Sequence, residues 1–116
     1  MSMEFDVVVQ EGVTIVYLKG KLDGNAAPIA EEKIMPYVIS GCRLVIALCK
    51  CDYVSSAGLR LLLMIAKQLS AEGGKWGIAC ASSEIRDVME MTGFSNFFTN
   101  YGTVAEAIKA LKGEAK

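Results

Sequence analysis

Runs of apolar residues along the chain predict short strands that alternate with amphipathic helices. The first two strand-like runs are separated by Glu11-Gly12, a pair typical of a hairpin turn. Two later runs are almost continuously apolar, which is typical of strands covered on both faces. A short aromatic segment predicts the last strand. The predicted strands span residues 5–9, 13–18, 42–49, 75–81 and 94–101.

Helical spacing of the apolar positions predicts four helices between and after these strands. Pro28 lies early enough in the first helix to occupy its first turn, and Pro36 predicts a kink or an early end. Ile29 in the first helix and Val88 in the third are among the residues whose spacing predicts a core-facing position. The predicted helices span residues 25–38, 59–69, 82–91 and 103–111.

The predicted order of elements is ββαβαβαβα, with about five strands and about four helices. Repeated alternation of strand and helix indicates parallel strand pairs with helical cover, to which the hairpin adds an antiparallel pair. The expected fold is therefore of the α/β class, with a mixed sheet. Because no linker, repeat or low-complexity stretch divides the sequence, residues 1–116 are expected to form a single domain.

Composition and charge narrow the range of functions. Hydrophobic residues make up 53% of the chain and charged residues 22%, which is enough apolar material for a substantial core. The net charge of −1, with Lys and Arg scattered, does not favour a nucleic-acid partner. The longest apolar run, over 59–66, is shorter than the roughly 20 residues that cross a bilayer. No basic segment followed by an apolar run opens the sequence. We therefore expect a cytoplasmic protein without a membrane span.

The four cysteines are expected to be reduced and to act as small core hydrophobes. Cys49 and Cys51 are two residues apart in a predicted strand, so they should point to the same face. Structural zinc sites take four Cys or His ligands from tight pairs joined by turns, and this chain contains no histidine. No metal or cofactor is expected, and no function is assigned to the thiols.

The segment with the most informative chemistry runs over 52–62, where a buried strand gives way to an apolar helix. Backbone N–H groups at a helix start lack internal partners and carry partial positive charge, so a phosphate on Ser55 or Ser56 would find donors there. Arg60, one turn after Ser56, could also approach it. A serine at this place could instead only cap the helix, which is worth ~1 kcal/mol.

Two features favour a role for these serines beyond capping the helix. There are two hydroxyl groups where one suffices, and the helix is apolar on too many sides for a single core-facing stripe. We therefore expect some of its apolar residues to form a surface patch beside the serines, suited to a binding partner. The residues concerned are Leu59, Leu61, Leu62, Leu63, Met64 and Ile65.

The segment resembles the signature of STAS domains, the family of anti-sigma factor antagonists, whose pattern is Asp-Ser-Ser-Gly-Leu or a variant with Ala-Gly at a strand-to-helix junction. Matching on Gly58-Leu59 places the phosphorylated serine of the family at Ser56, with Ser55 as the reserve candidate. The resemblance extends over about residues 5–112. Weaker matches lie in Gly20-Lys21-Leu22-Asp23, Thr92-Gly93-Phe94, Phe97, Tyr101, Thr103 and Ala107-Ile108.

The resemblance implies a bacterial partner-switching protein with a STAS-type domain. Unphosphorylated members bind a GHKL-type serine kinase that doubles as an anti-sigma factor; phosphorylation releases it, and a PPM-type serine phosphatase restores binding. Asp23 resembles the family's loop acid near the motif, although a turn or capping role is about as probable. The implied protein is a monomer with no cofactor. The residues implied in partner binding are Asp23, Ser55, Ser56, Ala57, Gly58, Leu59 and Arg60.

Two other functions compete with a phosphorylation switch. An enzyme would need a base for Ser56, yet the chain has no histidine, and nothing places Lys50 or Lys67 nearby. The other alternative is a STAS-like binding subunit of a lipid-transport or stressosome-type complex that is never phosphorylated. Retention of both motif serines favours the phosphorylation switch over this alternative.

Overall fold

The computed structural model describes residues 3–112 and contains a five-stranded sheet in the order β1-β2-β3-β4-β5. β1 runs antiparallel to β2, and all other neighbours are parallel, so the sheet is mixed as predicted. The strands are β1 (Glu4–Gln10), β2 (Val13–Leu22), β3 (Arg43–Val54), β4 (Lys75–Ala79) and β5 (Asn100–Tyr101).

Four α-helices follow the predicted order and complete the ββαβαβαβα arrangement. Pro28 lies in the first turn of the first helix, and Pro36 lies in a 3-10 turn that follows its end, as the sequence predicted. None of the helices among residues 3–112 combines the length and apolar character needed to cross a membrane. The helices are α1 (Ala27–Ile34), α2 (Ser56–Ala71), α3 (Ser83–Met91) and α4 (Val104–Leu111).

The hairpin between β1 and β2 is a tight turn. Glu11 and Gly12 both have positive φ, at 55° and 80°, which is the backbone twist that a two-residue hairpin loop requires. The predicted strand over 94–101 is mostly wrong. Gly93 has a φ of 80° and leads into a 3-10 turn at Phe94–Asn96, so only Asn100 and Tyr101 extend the sheet.

The sheet separates two hydrophobic layers. The larger layer packs the sheet against α1, α2 and α3, and the smaller packs it against α4. Successive residues of β2 alternate between them: Ile15 belongs to the smaller layer, and Val16 and Leu18 to the larger. Both faces of the central strands are thus covered, which explains their continuous apolar sequence.

The pairing of β2 with β3 shifts twice, and both shifts insert an extra residue into β3. Between the pairs Tyr17–Ala47 and Lys19–Lys50, two residues of β3 oppose one of β2. The second shift leaves Asp52 as the extra residue between the pairs Gly20–Cys51 and Lys21–Tyr53, and the last pair is Leu22–Val54. Such bulges bend a strand and redirect its side chains. They bring the end of β3 beside the end of β2.

The expectation for the cysteines is wrong in two respects. Cys49 and Cys80 form a disulfide between β3 and the residue after β4, with their Cα atoms 4.6 Å apart. Cys49 and Cys51 do not share a face, because the first bulge interrupts the alternation of β3: Cys49 lines a groove with Ala47 of the smaller layer, whereas Cys51 enters the larger layer. Burial raises the pKa of the Cys51 thiol, so this residue does behave as a core hydrophobe.

We predict that Leu62→Ala lowers the free energy of unfolding by about 2–5 kcal/mol, because Leu62 is fully buried in the larger layer and truncation leaves a cavity. Met91→Ala serves as the matched control, since Met91 is 85% exposed and its loss should change stability by about 0.5 kcal/mol or less. Urea denaturation of both variants checks this, and equal midpoints would contradict the packing described.

Candidate functional site

The predicted site lies at the corner where β3 ends and α2 begins. Ser55 is the N-cap of α2, with extended backbone at φ −80° and ψ 175°. Its Oγ accepts a hydrogen bond from the Gly58 N–H at 3.2 Å. The capping role expected of a serine at this place therefore belongs to Ser55.

Ser56 is the first residue of α2, and its side chain is exposed. Because Ser55 already caps the helix, the Ser56 hydroxyl is not needed for that role. The N–H groups of Ser56 and Ala57 belong to the first turn, where helix geometry provides no intrahelical acceptor. Arg60 is exposed and lies four residues on, on the same side of the helix as Ser56. The corner thus offers an accessible hydroxyl beside open donors.

The corner is held against the end of β2 by backbone contacts. The Ser55 N–H donates to the Leu22 carbonyl at 2.9 Å. Gly58 is buried against the same residue, and a Cβ built on it would lie 2.5 Å from the Leu22 oxygen and 2.9 Å from Leu22 Cγ. Glycine is required at position 58 because α2 and β2 approach too closely there for a side chain.

Asp23 follows β2 and lies half-buried beside this corner. Its Oδ1 accepts hydrogen bonds from the N–H groups of Asn25 at 3.1 Å and Ala26 at 3.0 Å. Asp23 therefore forms the turn that precedes α1. It also lines a cleft of about 540 Å³ shared with Asp52, so Asp23 lies at the surface as well as in the turn.

The expected apolar patch on α2 is not present. Leu59, Leu61, Leu62 and Ile65 are buried, and Leu63 and Met64 are half-buried. The predicted patch assumes that only one face of α2 is covered. The helix instead packs on the sheet while neighbouring helices cover its sides, so a wider apolar surface is buried.

Exposed apolar residues beside the serines come instead from other elements. Tyr53 of β3 is 50% exposed and Val88 of α3 is 41% exposed. They line a cleft of about 290 Å³ next to the corner, together with the buried Leu59 and the acidic residues Asp52 and Glu84. The core position predicted for Val88 is therefore wrong. Tyr53 was missed because the bulge at Asp52, which changes the direction of the side chains, has no signal in the sequence.

A second cleft lies on the other side of the corner, between α1 and α2. It has a volume of about 310 Å³, and Ala57, Arg60, Met64 and Glu31 are among the residues that line it. Ile29 on α1 is 44% exposed, so its predicted core position is also wrong. Ser56 thus lies between two clefts. Each has an apolar lining and at least one carboxylate.

Comparisons with known proteins agree with this geometry. The model of the STAS domain family matches residues 4–107. BtrV of Bordetella bronchiseptica, assigned as an anti-sigma factor antagonist, is 33% identical over 113 residues, which cover 97% of this chain and 96% of BtrV. Proteins of this name are binding regulators rather than enzymes.

Solved structures show the same architecture. An anti-sigma factor antagonist from Mycobacterium paratuberculosis is 27% identical and superposes with a TM-score of 0.83, covering 96% of this chain and 95% of that one. The Bacillus cell fate determinant SpoIIAA in its phosphorylated form is 23% identical, with a TM-score of 0.71 and coverage of 92% and 98%.

We predict that the two serines differ in their effect on stability. Ser55→Ala should lower the free energy of unfolding by about 0.5–2 kcal/mol, because it removes the cap of α2. Ser56→Ala should change it by about 0.5 kcal/mol or less, because the exposed hydroxyl caps nothing. Thermal or urea denaturation distinguishes them. A larger loss in Ser56→Ala than in Ser55→Ala would reverse the assignment of the cap.

We also predict that Gly58→Ala destabilises the fold by about 1–3 kcal/mol, because the added Cβ would collide with Leu22. Gly24→Ala is the matched control: its Cβ would meet Ala57 Cβ at 4.0 Å, an ordinary contact. Denaturation midpoints of the two variants provide the measurement. If Gly58→Ala is as stable as Gly24→Ala, the close approach of α2 to β2 is incorrect.

Proposed function

This chain belongs to the STAS-domain family, and we propose that it is a phosphorylation-controlled anti-sigma factor antagonist that acts as a cytoplasmic, monomeric single domain. The observation that carries the proposal is the exposed Ser56 hydroxyl at the first turn of α2, between two partly apolar clefts. The relatives support the general role, since BtrV and the Mycobacterium protein bear the same description.

The proposed partners are a GHKL-type serine kinase that doubles as an anti-sigma factor and a PPM-type serine phosphatase. In this scheme the unphosphorylated chain binds the kinase and frees the kinase's other partner. Phosphorylation of Ser56 ends that binding, and the phosphatase restores it. SpoIIAA, which has the same fold, has been solved in a phosphorylated form, and this precedent supports a phosphorylated state here.

Ser56 is favoured over Ser55 as the modified residue by the hydrogen bonds at the corner. Ser55 is half-buried, and its Oγ is engaged by the Gly58 N–H, so transfer of a phosphate to it would sacrifice the cap. Ser56 is exposed and can enter a kinase active site without such a loss. The proposed phosphorylation site is therefore Ser56.

In the free protein a phosphate on Ser56 can be accommodated locally. It carries about −1.5 to −2 charges at pH 7 and accepts strong hydrogen bonds. The N–H groups of Ser56 and Ala57 and the positive end of the helix dipole are suitable donors. Arg60 supplies a cationic side chain on the same side of the helix. The fold can remain unchanged.

In the complex the same phosphate is costly. Docking on the corner would remove water from it beside apolar Tyr53 and close to the carboxylates of Asp23 and Asp52. Shifting a two-state balance from 1:99 to 99:1 requires about 5.5 kcal/mol. Desolvating a doubly charged group without matched partners is of that order. The switch therefore acts through electrostatics at the interface.

We predict that Ser56→Ala binds the kinase constitutively and that Ser56→Asp binds it at least about tenfold more weakly than the unmodified protein, a change of about 1.4 kcal/mol. Isothermal titration with a GHKL-type kinase encoded near this gene provides the measurement. Ser70→Asp is the matched control, because Ser70 is exposed at the far end of α2 and the substitution adds the same charge. Equal affinities of Ser56→Asp and the wild type would refute the interface mechanism.

The modified residue can be identified separately by intact mass after incubation with the kinase and ATP. Ser55→Ala should still gain one phosphate, and Ser56→Ala should gain none. A phosphate retained by Ser56→Ala and lost by Ser55→Ala would move the site to Ser55.

A further inference from the structure

The disulfide between Cys49 and Cys80 joins β3 to the residue after β4, and the chain continues from these two places into the two walls of one of the clefts beside Ser56. Cys49 lies in β3, four residues before Tyr53. Cys80 lies two residues before Ser82, the N-cap of α3, and α3 carries Val88. The bond therefore links the two segments just before they form the walls of the cleft of about 290 Å³.

The backbone at both cysteines brings the sulfur atoms together. Cys49 continues the alternation of Val45 and Ala47 and therefore faces the α4 side of the sheet, and the first bulge of β3 then moves Cys51 to the other side. Cys80 has a φ of 62°, a left-handed conformation that is uncommon for a residue with a side chain. Its N–H donates to the Tyr101 carbonyl at 3.0 Å, which holds it in that conformation beside β5.

The pair differs from the other two cysteines in its accessibility. Cys49 is exposed and lines a groove with Lys19, Lys50 and Asp6. Cys51 is buried in the larger layer, and burial raises the pKa of its thiol. Cys42 is half-buried against Gly74. Cys49 is thus the thiol most open to oxidants, and its disulfide is open to reductants.

We propose that Cys49 and Cys80 form a reversible thiol–disulfide switch that sets the rigidity of the partner-binding surface around Ser56. This switch would be a second regulation of the proposed binding site. That the surface around Ser56 binds a partner rests on the proposed function. Reducing compartments keep most thiols free, so disulfides that form there are usually transient and redox-sensing. Exposed disulfides are also the more labile ones.

The oxidation is balanced with a peroxide as oxidant. The Cys49 thiolate attacks one peroxide oxygen, the O–O bond breaks, and the second oxygen leaves as water after protonation. The resulting sulfenic acid is attacked by the Cys80 thiol, which forms the S–S bond and releases a second water. Two electrons pass from the two thiols to one peroxide. Two glutathione molecules reverse the step and leave as glutathione disulfide.

Breaking the bond should loosen the cleft walls while the rest of the fold is kept. Residues 50–54 and the loop over 81–82 would lose their covalent link, whereas Ser55 and Gly58 remain fixed on Leu22. We therefore expect faster local opening at Tyr53 and at the start of α3 after reduction. The corner that carries Ser56 should be less affected.

Thiol counting provides the first test. The isolated protein is treated with hydrogen peroxide or with excess glutathione, then unfolded and labelled with a maleimide for intact mass. The reduced wild type should take four labels, one for each cysteine, and the oxidised protein two. Cys42→Ser should keep the difference of two labels, while Cys49→Ser and Cys80→Ser should show none. A wild type that keeps four labels after peroxide, or two after glutathione, overturns the proposal.

Hydrogen exchange of the same samples provides the second test. Reduction should accelerate exchange over 50–54 and 81–88 in the wild type and in Cys42→Ser. It should leave exchange unchanged in Cys49→Ser, which is loosened in both conditions. Equal exchange of oxidised and reduced wild type overturns the coupling to the cleft. Neither measurement uses a kinase, so failure of the proposed phosphorylation switch would be detected separately.

Discussion

The arrangement of the site depends on the contact between the end of β2 and the first turn of α2. The Leu22 carbonyl accepts the Ser55 N–H, and Gly58 leaves no side chain between the two elements. This contact is possible because β3 takes two extra residues along β2, which brings Val54 level with Leu22. With the corner fixed by backbone atoms, the side chains of Ser56 and Arg60 are left facing solvent.

The two serines divide one helix terminus between them. The Ser55 hydroxyl accepts a hydrogen bond from the Gly58 N–H and so stabilises α2. Ser56 keeps a free hydroxyl beside N–H groups that no helix can satisfy internally. A single serine could not fulfil both roles, because a phosphorylated cap would have to exchange its structural hydrogen bond for a new one. In the proposed switch, the two serines therefore have separate roles, Ser55 in the stability of α2 and Ser56 in phosphorylation.

The sequence predicts the order of elements, the mixed sheet, helices that begin near Ser82 and Thr103, and the strand-to-helix corner with its two serines, because turns and periodicity are local. The sequence does not predict which side chains are buried where tertiary packing determines their surroundings. The apolar excess of α2 is buried by neighbouring helices, and bulges that depend on strand pairing interrupt the alternation of side chains between Cys49 and Tyr53. The Cys49–Cys80 disulfide was missed for the same reason, since Cys80 lies on another strand's end.

Backbone contacts fix the corner between β3 and α2, so the exposed side chains around it can vary during evolution. Tyr53, Val88 and Ile29 are exposed and belong to three different elements, so each can change without moving the turn that holds Ser56. Gene duplication could therefore produce paralogues that share one modification chemistry but select different cognate proteins. In the proposed switch, discrimination between such partners would reside in these exposed side chains, and the Ser56 hydroxyl would stay invariant.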